Sequence, residues 1–221
     1  ADLEIAEGDP YVGPTPALVK GTAPVTYDLV TAPAGMAIDP DTGQVSWPNT
    51  TAEGTPHQVT IRAMNAWGSD DETWQVRVVR PPTIAPIPDG IVVKGVTYGK
   101  PAPGLVDGTP PVQWSLVEGP TGLTINPATG TITWPGSPIP GVHTIMIRAT
   151  NMAGSDEESW QLEVIARPVL EPMADAEVME FAAFVGAAPV LVEGTDPIGF
   201  TLVSGPAGMT IDAETGVVSW A

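Results

Sequence analysis

Hydrophobic and polar residues alternate along much of this chain, and one alternating passage returns three times. In the middle copy Val112, Trp114 and Leu116 face one way while Gln113 and Ser115 face the other. The first copy places Val25, Tyr27 and Leu29 at these positions, and the third places Ile198, Phe200 and Leu202. Alternation with an aromatic at its centre predicts a strand buried on one face. A turn is predicted next, on Pro33-Ala34-Gly35, Pro120-Thr121-Gly122 and Pro206-Ala207-Gly208. Proline presets one φ there, and glycine permits a positive one. A hairpin follows in each copy, ending on Trp47, Trp134 and Trp220. Its loop is expected to close on Gly43, Gly130 and Gly216, with the side chains of Asp39, Asn126 and Asp212 bonding loop amides.

Two further strands are predicted in the first two copies only. Gln58–Ala63 and Thr144–Ala149 form the longer one, and Trp74–Val78 and Trp160–Val164 the last. Between them lie polar turns, Asn65–Asp70 and Asn151–Asp156. The closing tryptophans are 134 − 47 = 87 and 220 − 134 = 86 residues apart. A period this long marks tandem domains, each with its own core. The expected units are 1–80, 81–166 and 167–221, the first with a shortened opening and the third lacking its last two strands. Those strands are expected from continuation of the chain or from another subunit. Each unit opens on an extended, proline-rich lead-in read as one or two edge strands. Proline-stiffened joints, Val79-Arg80-Pro81-Pro82 and Ile165-Ala166-Arg167-Pro168, imply units arranged end to end.

Composition narrows the picture. Gly and Pro together number 24 + 26 = 50, in keeping with many short strands and corners. The 26 acidic and 8 basic residues give a net charge of −18, which argues against nucleic acid and anionic lipid as partners. Cysteine is absent, so there is no disulfide or thiolate chemistry. No apolar run reaches the length of about 18 residues needed for a membrane-spanning helix.

The pattern Ile38-Asp39-Pro40-Asp41-Thr42-Gly43-Gln44-Val45-Ser46-Trp47, then the long strand, then Asn65-Ala66-Trp67-Gly68 and a closing strand, resembles the bacterial immunoglobulin-like and cadherin-like repeats of the dystroglycan type. The resemblance covers nearly the whole chain. It implies an all-β fold of tandem immunoglobulin-like (cadherin-like) β-sandwiches, and service as spacers or adhesive modules of secreted and cell-surface proteins. The chain departs from cadherins at its joints. Arg80-Pro81-Pro82 and Ala166-Arg167-Pro168 stand where a calcium linker would be acidic.

Few residues offer chemistry. Asp70, Asp71, Asp156 and Glu157 follow Gly-Ser turns; a solvated turn is expected, with a weak calcium site as the alternative. His57 and His143 recur singly and are read as structural. Trp67 has no aromatic counterpart and stands in a polar turn, where it either packs on a neighbouring unit or offers a stacking platform. Asn49-Thr50-Thr51 is the one glycosylation sequon. No nucleophile elbow, zinc helix or phosphate loop is present, so no enzyme and no cofactor are expected. The expected role is a structural segment of an extracellular fibre, stalk or adhesin. Its partners would be copies of itself or neighbouring domains. The alternative is a module that binds surface polysaccharide or protein, with calcium as a candidate aid.

Overall fold

The computed structural model describes residues 3–136 and 139–221, and its described elements are all strands. Ala1 and Asp2 of the first lead-in, and Ser137 and Pro138 of the second variable loop, lie outside the described residues.

In the first unit β1 (Leu3–Ala6), β2 (Tyr11–Val12), β3 (Thr26–Thr31), β4 (Ala37–Ile38), β5 (Val45–Trp47), β6 (His57–Asn65) and β7 (Gly68–Val79) form two sheets. Their orders are β1-β7-β6-β3 and β2-β5-β4, with β1 parallel to β7. The alternating positions meet between the sheets, where Tyr11, Val45, Trp47, Val59, Ile61, Val76 and Val78 form one core. Trp47 is buried, and its Nε1–H donates to the Ala34 carbonyl at 3.0 Å. Trp134 reaches Thr121 O at 3.1 Å and Trp220 reaches Ala207 O at 3.0 Å in the same way. A buried indole needs an acceptor for its N–H, and the Pro-x-Gly turn folds back to supply it.

The second unit contains β8 (Thr83–Ile84), β9 (Gly90–Val93), β10 (Tyr98–Lys100), β11 (Leu105–Asp107), β12 (Gln113–Glu118), β13 (Thr124–Ile125), β14 (Ile132–Trp134), β15 (Gly141–Asn151) and β16 (Gly154–Ile165). Its sheets are β12-β15-β16-β9 and β10-β14-β13, with a separate β11-β8 pair. The lead-in therefore supplies four strands, more than the one or two expected, because two of its segments pair with each other. Ile132, Ile145, Ile147 and Leu162 are fully buried in this unit's own core.

The third unit has β17 (Val169–Leu170), β18 (Phe184–Val185), β19 (Leu191–Glu193), β20 (Thr210–Ile211) and β21 (Val218–Trp220), in orders β17-β19 and β18-β21-β20. The expected strand through Ile198, Phe200 and Leu202 does not form here. Its counterparts β3 and β12 pair with β6 and β15, and no described residues of the third unit play that part. The segment still holds its place against the hairpin: Phe200 N bonds Ala213 O at 2.9 Å, as Tyr27 N bonds Pro40 O and Trp114 N bonds Pro127 O.

The polar turns are tighter than expected. β7 begins at Gly68 and β16 at Gly154, so Asp70-Asp71-Glu72 and Asp156-Glu157-Glu158 are strand residues. The peptide bonds Ala23-Pro24, Pro110-Pro111 and Asp196-Pro197 are cis, at matching places in the three copies.

Candidate functional sites: the joints between units

Arg80 follows β7, and Pro81 and Pro82 lead from it into β8. The Arg80 N–H donates to Thr109 Oγ1 at 2.9 Å. Its carbonyl accepts from Thr109 N at 3.2 Å and from Asn151 Nδ2 at 2.6 Å. Asn151 Nδ2 also donates to Thr109 O at 3.0 Å, while its Oδ1 accepts from Ala153 N at 2.9 Å to close the β15–β16 turn. Arg77 Nη2 adds a bond to Pro110 O at 2.6 Å. The Arg80 guanidinium lies between acids of both units. Nε bonds the Glu7 carboxylate at 3.0 and 3.2 Å, Nη2 bonds Ala52 O at 2.8 Å, and Nη1 stands 3.7 Å from Asp107.

The second joint repeats the backbone frame with other charges. Ala166 N donates to Thr195 Oγ1 at 2.8 Å, and Thr195 N donates to Ala166 O at 3.1 Å. Lys94 of the second unit forms an ion pair with Glu193 of the third. Thr109, Thr195 and Asn151 do not stand out in the sequence pattern. A signal is present all the same: Thr22, Thr109 and Thr195 each follow the glycine that ends a lead-in.

The acidic candidates are not gathered. Side chains alternate along a strand, so Asp70 and Glu72 face away from Asp71. Asp71 makes a two-pronged pair with Arg62 at 2.7 and 2.8 Å, which holds its carboxyl below the usual range. Glu157 pairs with Arg148 at 2.7 Å, and Asp156 accepts the Ile84 N–H at 2.7 Å. Among the described residues no group of three or more His, Asp or Glu is placed to hold a metal ion.

The remaining candidates are spread over the first two units. Trp67 sits at the tip of the β6–β7 turn, 75% exposed, beside a shallow pocket with Leu18, Lys20, Val25, Met64 and Asp70. Asn49 is exposed. Its neighbour Thr50 is buried, its hydroxyl accepting from Gly8 N at 3.1 Å and contacting Ala6 O and Asp9 O at 3.1 and 2.9 Å. His57 is buried edge-on against Trp47, with ring centroids 5.0 Å apart, and His143 meets Trp134 likewise at 5.3 Å. Asp39 bonds the amides of Asp41 and Thr42, both at 2.9 Å, and the bond from Thr42, then that from Asp41, lowers its pKa.

No curated protein matches the chain. Among solved structures, an I-band fragment from titin is 22% identical, aligns over 99% of this chain and 83% of its own, and has a TM-score of 0.60. The insect immune protein hemolin is 13% identical over 100% of this chain and 67% of its own, with a TM-score of 0.50. At such identities the likeness is one of fold, immunoglobulin-type sandwiches in series. The family described as Putative Ig domain (He_PIG) matches residues 3–79 and again residues 81–165. Matched twice in succession across most of its length, the chain belongs to the Putative Ig domain family.

Proposed function

We propose that this chain is a structural segment of an extracellular fibre, stalk or adhesin, in which tandem sandwiches set distance and assemble with copies of themselves or with neighbouring domains. The observation that carries this reading is the recurring joint. In each, one threonine exchanges two hydrogen bonds with the residue that leaves the preceding unit. A joint tied through its backbone transmits orientation from unit to unit, which a spacer needs and a flexible linker does not provide. Small-angle scattering tests the serial arrangement. The expected radius of gyration lies well above about 17 Å, the value for a single compact globule of this length. A value near that figure would refute the reading.

One observation favours a second reading. Trp67 is largely exposed beside a pocket, as a stacking platform for a sugar or a partner protein would be. A glycan array probed with the intact chain and with Trp67→Ala decides it. Binding lost in the variant supports an adhesive role, and no binding by either rejects the sugar-binding form of it.

A further inference from the structure

We propose that Asn49 accepts an N-linked glycan in the folded protein, and that the fold presents it beside the first joint. The loop after Trp47 alternates in burial. Asn49, Thr51 and Glu53 are exposed, and Thr50 and Ala52 between them are buried. Side chains of an extended segment point to opposite sides in turn, so Asn49 and Thr51 share the solvent side. An asparagine-x-threonine acceptor needs that pair together. The amide receives the sugar, and the hydroxyl two residues on is part of what the transferase reads. The middle residue, Thr50, is not the proline that the acceptor pattern excludes.

The inward residues hold this arrangement. Thr50 is 2% exposed, and its hydroxyl accepts from Gly8 N and contacts Ala6 O and Asp9 O. Its carbonyl accepts from the same Gly8 N at 3.0 Å. The buried His57 ring meets Thr51 O through Nε2 at 2.8 Å. Ala52 N donates to Glu7 Oε1 at 3.0 Å, and Ala52 O accepts from Arg80 Nη2 at 2.8 Å. The loop is thus tied down through its inner side and its backbone. The side chains of Asn49 and Thr51 have no hydrogen-bond partner among the described residues, so neither must leave one to meet a transferase.

The donor follows from the nucleophile. A side-chain amide is a weak one and bonds to carbon only against a good leaving group, so the donor is a glycosyl diphosphate. Asn49 Nδ2 bonds to C1 of the sugar while the bond from C1 to the diphosphate oxygen breaks. The diphosphate leaves with that electron pair, and one amide proton passes to a base of the transferase. Such a donor is carried on a lipid for a membrane-bound transferase or on a nucleotide for a soluble one. The product places a hydrated glycan three residues from Ala52, whose carbonyl meets Arg80 at the first joint. The corresponding loop of the second unit, residues 135–140, holds no asparagine, so the modification marks one joint and not the other. The inference goes beyond the spacer reading and stands without it.

The test uses the full chain, folded and purified from a host that does not glycosylate asparagine. One arm supplies a lipid-linked oligosaccharide and a membrane oligosaccharyltransferase. The other supplies UDP-glucose and a soluble asparagine glucosyltransferase. Intact mass and peptide mapping read the outcome. One glycan per chain, on Asn49, is expected in at least one arm, and the arm that transfers names the carrier of the donor. Thr51→Ala is expected to lower the yield about tenfold or more and Thr51→Ser to retain it, both with unchanged circular dichroism. No transfer to the folded chain in either arm would overturn the proposal, as would an undiminished yield from Thr51→Ala. Transfer to a synthetic peptide of residues 46–54 but not to the folded chain would overturn it too, because the fold would then hide the acceptor rather than present it.

Discussion

Replacing Asn151 by aspartate should loosen the first joint while leaving each sandwich folded. The change is isosteric and keeps the Oδ1 acceptor for Ala153 N, so the β15–β16 turn survives. It removes the donor that holds Arg80 O at 2.6 Å and Thr109 O at 3.0 Å, and sets a carboxylate against two carbonyls. Only the bond to Arg80 O crosses the joint, a neutral hydrogen bond of about 0.5–1.5 kcal/mol; the bond to Thr109 O lies within the second unit and steadies the threonine that completes the frame. The Arg80–Asp107 ion pair across the same joint contributes less. Arg80 and Asp107 are 3.7 Å apart with side chains 40% and 56% exposed, and an exposed pair contributes about 0.2–1 kcal/mol. The hydrogen-bonded frame therefore outweighs ion pairing, and the joint should keep its stiffness in about 1 M salt, where screening acts within about 3 Å. Residual dipolar couplings measure this, since a stiff joint gives both units one alignment tensor. Asn151→Asp is expected to separate the tensors, whereas Asp107→Ala and high salt are not. Asn65→Asp makes the same chemical change in the first unit, away from the joint, and serves as the control. If salt or Asp107→Ala loosens the joint more than Asn151→Asp does, charge rather than the neutral frame holds the two units together.

Glycine substitutions separate strain from crowding. At Gly35 (φ +82°) an added Cβ stays 3.8 Å from Trp47, so Gly35→Ala should cost only the conformational penalty of about 1–2 kcal/mol. At Gly43 (φ +74°) the same Cβ would lie 2.6 Å from Pro16 and 2.8 Å from Tyr27, and crowding should raise the cost of Gly43→Ala to about 2–5 kcal/mol. Equal denaturation midpoints for the two variants would contradict this. Acid should act on the outer hairpins and spare the middle one. Backbone N–H donors lower the folded pKa of Asp39 and Asp212 below 3.8, so their contribution is present above that value and fades as pH falls through the folded pKa. Amides of Asp41, Thr42, Glu214 and Thr215 should then shift while Ala128 and Thr129, held by Asn126, stay put; joint movement of all six would show that the aspartates are not the cause. Melting curves with added calcium and with chelator should coincide, because side chains and backbone hold the first joint; a rise with calcium would point to a site the geometry does not explain.

The hairpins are legible in the sequence because they are decided within a few residues. Gly43, Gly130 and Gly216 have φ of 74°, 70° and 69°, and Asp39, Asn126 and Asp212 bond the amides two and three positions on. The tryptophan spacing likewise reports a unit with its own core. What is not legible is set by partners far away in the chain. The bond from Asn151 to Arg80 O spans 71 residues, and that from Asp156 to Ile84 N spans 72. Neither end looks unusual alone. Alternation at Ile198, Phe200 and Leu202 states which face would be buried, but a strand also needs a ladder partner. Three adjacent carboxylates look solvated, and so the acidic runs suggest turns. The cross-strand Arg62–Asp71 and Arg148–Glu157 pairs show why they lie in strands instead.

The two joints share a hydrogen-bonded frame and differ in charge, and that division suggests separate jobs. In the first, Arg80 reaches Glu7 behind and Asp107 ahead. In the second, Ala166 stands at the arginine position, and Lys94, which corresponds to Glu7, reaches Glu193 ahead. The cation has moved from the linker to the turn that follows β9, while the acid on the following unit remains. Exposed pairs add little stability, but like charges set opposite one another are costly, so such pairs act mainly to exclude wrong neighbours. Lys94→Glu would face Glu193 with a second carboxylate. The second joint should then loosen in low salt and recover in high salt, with the first joint unchanged. If dipolar couplings of the second and third units are the same in the variant at low salt, charge has no part in choosing which unit follows which, and the threonine frame alone orders the chain.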